Sequence, residues 1–135
     1  MARFQLLIVQ SIEGYMVEDY AERYPSLGEE TAEWLNNATF PMDENASLSM
    51  LIDGKKCKDY EDATYFIEAT PVTASIINGM LRMYLIDEII TYTVPVMLYT
   101  GRQLYQSRLA KTEWECTSTK IRKDGIVQTV FRKIG

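Results

Sequence analysis

From Phe4, apolar side chains recur at Phe4, Leu7, Ile8, Ile12, Tyr15 and Met16, with Gln10, Glu13 and Gly14 on the other side. This amphipathic spacing predicts a first helix to about Tyr24, stopped by Pro25. The Ile and Val residues inside it leave a short strand over residues 4–9 as the alternative. Ser26 followed by Glu29 has the form of a capping box and predicts a second, shorter helix through Trp34 and Leu35 to Asn36-Asn37. The polar connection PMDENAS leads into LSMLID, read as a strand with a turn at Asp53-Gly54. Asp59 can cap a third helix, with Tyr60, Ala63, Phe66 and Ile67 on one side and Thr70-Pro71 at its end. Taken alone, the run ATYFI favours a strand.

Residues 72–87, VTASIINGMLRMYLID, fit either a strand or a helix that is apolar nearly all round, and Gly79 disfavours the helix by about 1 kcal/mol relative to alanine. IITYTVPVMLYT is rich in β-branched and aromatic residues and predicts a strand with a bulge or edge at Pro95. Gly101 then turns the chain into a long stretch read as one bent strand or two. Over residues 112–134, two β-rich runs flank Asp124-Gly125, which predicts a closing hairpin with a two-residue turn. That turn would pair Arg122 with Val127 and Lys120 with Thr129.

Composition narrows the function classes. The 135 residues, 47% hydrophobic and 24% charged, predict one domain, residues 1–135, with an ordinary core. No apolar run reaches the roughly 18 residues of a membrane span, and a cytoplasmic protein is the expectation. There is no histidine, which excludes Ser-His-Asp and Cys-His machinery, and Cys57 and Cys116 form no metal-binding spacing. No metal and no cofactor are expected. Charge is split: residues 1–70 carry a net −9 and residues 71–135 a net +4. An anionic ligand on the C-terminal strands could use Arg102, Arg108, Lys120, Arg122, Arg132 and Lys133; acidic helices packing beside a basic sheet is the simpler reading. Net negative charge without basic-aromatic interleaving argues against nucleic acid as a partner.

In three places the sequence resembles the nuclear-transport-factor-two-like, or SnoaL-like, superfamily: WLNNATF, IDGKKCKDYEDATYFI and KIRKDGIVQTVF. The resemblance implies an α+β fold, with helices packed in a strongly curved antiparallel sheet as a cone-shaped α+β barrel open at its wide end. It also implies a small-molecule isomerase or cyclase working by acid-base chemistry without a cofactor, or a ligand-binding or dimerisation module of the same fold. SIINGMLRMYLID is similar to the central helix of hot-dog thioesterases, the alternative fold.

Within such a cone, desolvated carboxylates and tyrosines would carry the proton transfers. The candidates are Tyr15, Asp43 and Glu115, with Tyr92, Trp114, Met83 and Phe66 lining a pocket for a small apolar organic ligand. A homodimer through the sheet is the expected assembly.

Overall fold

Arg3–Gln10 forms a strand, β1, and six of its eight residues are buried. The computed structural model describes residues 2–106 and 108–135. Phe4, Leu6 and Ile8 pack on one side of the sheet and Leu7 and Val9 on the other, none more than 3% exposed. A strand buried on both faces needs apolar side chains at odd and even positions alike. FQLLIV supplies them, and so continuous a run contains helix-spaced residues whatever its conformation. The helix expected here is therefore a strand, and its neighbours in the sheet decide this.

β1 lies between two parallel partners, β3 (Thr64–Glu68) and β4 (Glu88–Thr93). The sheet order is β2-β3-β1-β4-β6-β5, with β2 (Phe40–Pro41) parallel to β3, and with β6 (Val127–Lys133) and β5 (Trp114–Ile121) added antiparallel beyond β4. The short α1 (Tyr20–Arg23) and α2 (Pro25–Asn36) connect β1 to β2 on the Leu7 face. Helices α3 (Leu48–Lys56) and α4 (Ala74–Arg82) lie on the Phe4 face. The connections on the two faces run across the sheet in opposite senses, as crossovers of one handedness require. Four adjacent parallel strands with a helix layer on each face make this an α/β fold. The α+β cone and the hot-dog fold are both overturned, since neither contains that parallel core.

Several elements exchange type. LSMLID lies in α3, and Gly54 sits within that helix at a point where a Cβ would stand 2.5 Å from the Tyr65 hydroxyl. The expected third helix is a 3-10 turn at Lys58–Tyr60 followed by β3; the side chain of Tyr60 lies outside the described residues. Residues 72–87 do hold a helix: a Cβ on Gly79 would meet Leu48 at 3.0 Å, so this glycine lets α4 approach α3. β4 ends before Pro95, and residues 94–113, apart from residue 107, which is outside the described residues, form a connection rather than strand. α2 starts with Pro25 in its first turn and no side-chain cap; Ser26 Oγ instead accepts from Arg122 at 2.7 Å. The closing hairpin forms in a different register: Ile121 faces Val127 and Lys120 faces Gln128, so residues 122–126 make the connection. The shift of one residue exchanges which side chains share a face.

The long connection is pinned at two points. Asn78, fully buried on α4, donates to the carbonyls of Ala74 and Leu104, each at 2.8 Å, and accepts from the Gln106 N–H at 3.2 Å. Glu13 accepts from the N–H groups of Leu98 and Tyr99, both at 2.9 Å. Hydrogen bonding from Ser11 and from those two amides holds the Glu13 carboxyl at about 2, against an ordinary 4.5.

Removing the Asn78 amide in Asn78→Ala strands the buried Leu104 carbonyl and unpairs the Gln106 N–H. Denaturant unfolding is expected to show a loss of about 2 kcal/mol or more, with faster amide exchange at Gln106. Because the folded Glu13 carboxyl titrates below its unfolded value, its tether is fully present above pH 4.5 and is lost as the pH falls through about 2. Amide exchange at Leu98 and Tyr99 should accelerate beyond its intrinsic rate across that window, and Glu13→Ala should abolish the step.

Candidate functional site

A cleft of about 470 Å³ opens on the Phe4 side of the sheet, between the end of α4 and the connection into β5. Its floor is sheet: Ile89 and Thr91 of β4 and Phe131 of β6, neighbours because Ile89 pairs with Phe131. Leu81 and Tyr84 form the α4 wall, and Tyr105, Gln106 and Leu109 the opposite one. Trp114, at the start of β5, closes one end, with its indole N–H donating to Thr112 Oγ1 at 2.8 Å. The Asn78 hydrogen bonds and a contact between Arg82 and the Gln106 side chain hold the second wall against α4.

Few polar groups face this space. Lys133, half-buried at the end of β6, donates from Nζ to the Tyr84 carbonyl at 2.6 Å. Burial lowers its pKa, with the nearby Asp87 carboxylate opposing that shift. Burial also pushes the Tyr105 hydroxyl up to about 12, although part of the ring stays exposed. Gln10 reaches the cleft from the end of β1.

The carboxyl ends of the parallel strands make a second place to look. In open α/β sheets, ligands sit where successive connections leave to opposite faces, here between β1 and β3. Its polar groups are bound to one another. The Tyr20 hydroxyl donates to the Glu68 carboxylate, and burial, followed by that carboxylate, raises its pKa. Thr70 and Thr73 each give their backbone N–H to the other's hydroxyl, at 2.9 and 3.1 Å, and Thr73 Oγ1 donates to the Glu68 carbonyl at 2.7 Å. No group of acidic, cysteine or histidine residues among those described could hold a metal ion. No helix among them is long and apolar enough to cross a membrane.

The residues singled out in the sequence are dispersed. Tyr15 lies in the loop after β1, with its side chain against Gly101, and Asp43 makes a local turn by accepting from the Asn45 N–H at 2.9 Å. Glu115 is exposed on β5, 3.3 Å from Arg132. Asp43 follows the strand at one edge of the sheet and Glu115 belongs to the strand at the other, so these two carboxylates do not meet. Of the pocket candidates, Trp114 lines the cleft. Tyr92 and Phe66 are on the opposite face, where Tyr92 accepts from Trp34 at 3.0 Å and Gln128 at 2.9 Å; its hydroxyl is raised to about 12 by burial and then by Glu30. Met83 is exposed at the end of α4. Tyr84, Tyr105 and Phe131 had no local signal, because the turn after α4, the long connection and β6 bring them together. Lys133 was visible only as one basic residue among six.

No family model matches this chain, and no curated protein matches it. Solved structures do. RibD of Acinetobacter baumannii superposes with a TM-score of 0.73 at 14% identity, over 100% of this chain and 59% of that one. Rib7, a riboflavin biosynthesis reductase of Saccharomyces cerevisiae, gives 0.61 at 9% identity, covering 99% and 89%. A dihydrofolate reductase of Enterococcus faecalis gives 0.56 at 7% identity, covering 98% and 97%. This chain spans about three fifths of the RibD chain. At such identities the likeness is one of fold: these are reductase-type mixed sheets, which replaces the SnoaL-like resemblance and, with it, the cofactor-free isomerase or cyclase expected from it.

Proposed function

We propose that this chain binds a flat, largely apolar organic molecule in the cleft beside α4, as a small-molecule-binding protein built on the reductase fold. The observation that carries this reading is the cleft itself. Its volume of about 470 Å³ is that of an ordinary ligand site, with apolar and aromatic walls and a few polar groups to fix orientation. Trp114, Phe131 and Tyr105 give it aromatic surfaces suited to a ring system. The neighbours named for riboflavin biosynthesis and for dihydrofolate point to flat heteroaromatic compounds as the class to test.

Reduction of such a ligand is the second reading, favoured by the reductase names of the neighbours. The Enterococcus faecalis enzyme is complexed with NADP(H), a dinucleotide whose phosphates call for free N–H groups or cations at helix N-termini. At the carboxyl edge of this sheet the Thr70 and Thr73 amides are taken by each other's hydroxyls, and Asp43 and Glu44 precede α3. The Thr70 and Thr73 amides are thus not available to a phosphate, and no hydride-transfer step follows from these residues.

With Trp34 replaced by phenylalanine, Trp114 is the single indole and reports on the cleft. Lumichrome, a flat tricyclic heteroaromatic, is expected to quench it saturably and to raise the melting temperature. Ala110→Phe, at an exposed position on the rim, should weaken binding by about tenfold or more with the melting temperature of the free protein unchanged. Undiminished binding in that variant would sink the assignment to this cleft, and ligand-dependent consumption of NADPH would select reduction instead.

A further inference from the structure

The end of α4 carries a residue that its backbone does not favour. Tyr84 N–H donates to the Leu81 carbonyl at 3.1 Å and Leu85 N–H to the Met80 carbonyl at 3.0 Å. This is the Schellman pair, and it places Tyr84 in the left-handed position that glycine usually occupies. Its φ is +57°, a conformation that costs a residue with a Cβ free energy. Packing covers only part of the residue, which is 53% exposed. It stands at the mouth of the cleft, and its carbonyl is the acceptor for Lys133 Nζ at 2.6 Å. Backbone strain of this kind is a pointer to function.

Two polar groups inside the cleft are also left over. Lys133 makes no ion pair among the described residues, although an ammonium has three N–H directions and only the Tyr84 carbonyl is its hydrogen-bond partner there. The Tyr105 hydroxyl has no hydrogen-bond partner among the described residues either, and its ring lines the cleft.

We propose that the cleft selects a flat aromatic acid: the ring lies against Tyr84 and Trp114, a single carboxylate meets the Lys133 ammonium, and the Tyr105 hydroxyl donates to an acceptor on the ligand. A lone ammonium with no arginine fork beside it matches one negative charge better than a phosphate dianion. This rests on the ligand-binding reading of the cleft and adds the chemistry of what binds.

The test uses 2-naphthoate, its neutral amide and 2-naphthyl phosphate, measured by calorimetry on the full chain. In the unmodified protein the carboxylate should bind at least about tenfold more tightly than the amide, and more tightly than the phosphate. Lys133→Gln should bring carboxylate and amide level. Tyr84→Gly should weaken both by about fivefold or more while the melting temperature holds or rises, since glycine suits the left-handed position. Tyr105→Phe should weaken both with no loss of melting temperature. Equal affinities for acid and amide in the unmodified protein would overturn the proposal while leaving the cleft reading standing, and tighter binding of the phosphate would overturn the choice of carboxylate. A fall in melting temperature with unchanged affinity in Tyr84→Gly would make Tyr84 structural. If none of the three probes binds, the proposal fails, and lumichrome binding then decides whether the cleft reading stands.

Discussion

Burial of β1 on both of its faces is the constraint from which the rest of this architecture follows. A strand with parallel neighbours on either side has no edge exposed to water, and each face must be covered by a helix layer. Leu7 and Val9 meet Leu27 beneath α2, and Phe4, Leu6 and Ile8 meet Leu51, Ile77 and Met80 beneath α3 and α4. The amino ends of the strands are tied in the same way. Asp87 accepts from the Phe4 N–H at 2.9 Å and from Lys55 at 2.6 Å, joining β1, α3 and the start of β4 in one contact. Lys55 also donates to the Leu85 carbonyl at 3.0 Å, so this half-buried charge pair is hydrogen-bonded rather than merely close.

The cleft is a consequence of that layering. α4 covers β1 and β4 but is only nine residues long, and the sheet continues past it to β6 and β5. Beyond the helix the apolar floor of Ile89 and Phe131 has only the 105–113 segment above it, and a segment without regular structure covers a sheet less tightly than a helix does. The fully buried Asn78 amide keeps that segment in place, satisfying backbone groups that would otherwise be stranded. On the opposite face Arg122 reaches from the hairpin to Glu30 of α2 at 2.5 Å, and Tyr92 links the sheet to Trp34. The acidic first half and basic second half of the chain meet in that contact.

How much of the site could be read in advance follows from the kind of interaction that forms it. The closing hairpin is local, and its Asp124-Gly125 signal locates it, although Gly125 at φ +84° serves a longer connection than two residues. Trp114, a pocket candidate in the sequence for a different fold, lines the cleft beside α4. That Asp43 and Glu115 lie far apart was not legible, because only the strand order shows that they sit at opposite edges. Tyr84 gave no signal either: an aromatic in a glycine-type backbone position becomes visible only once the helix end is located.

By itself the sequence determined the amounts and the local devices: enough apolar residues for a core, no histidine chemistry, a helix across residues 25–36, strands at the end, and a division of charge between the halves. Only the tertiary structure decided that FQLLIV is a central strand, that LSMLID is a helix and ATYFI a strand, and that the sheet is parallel at its centre. Short apolar runs satisfy helix and strand periodicities equally well, and the choice between them is made by neighbours that are distant in sequence. Arg3 pairs with Thr64 and Gln5 with Glu88, and no local pattern contains the free energy of pairings across such separations.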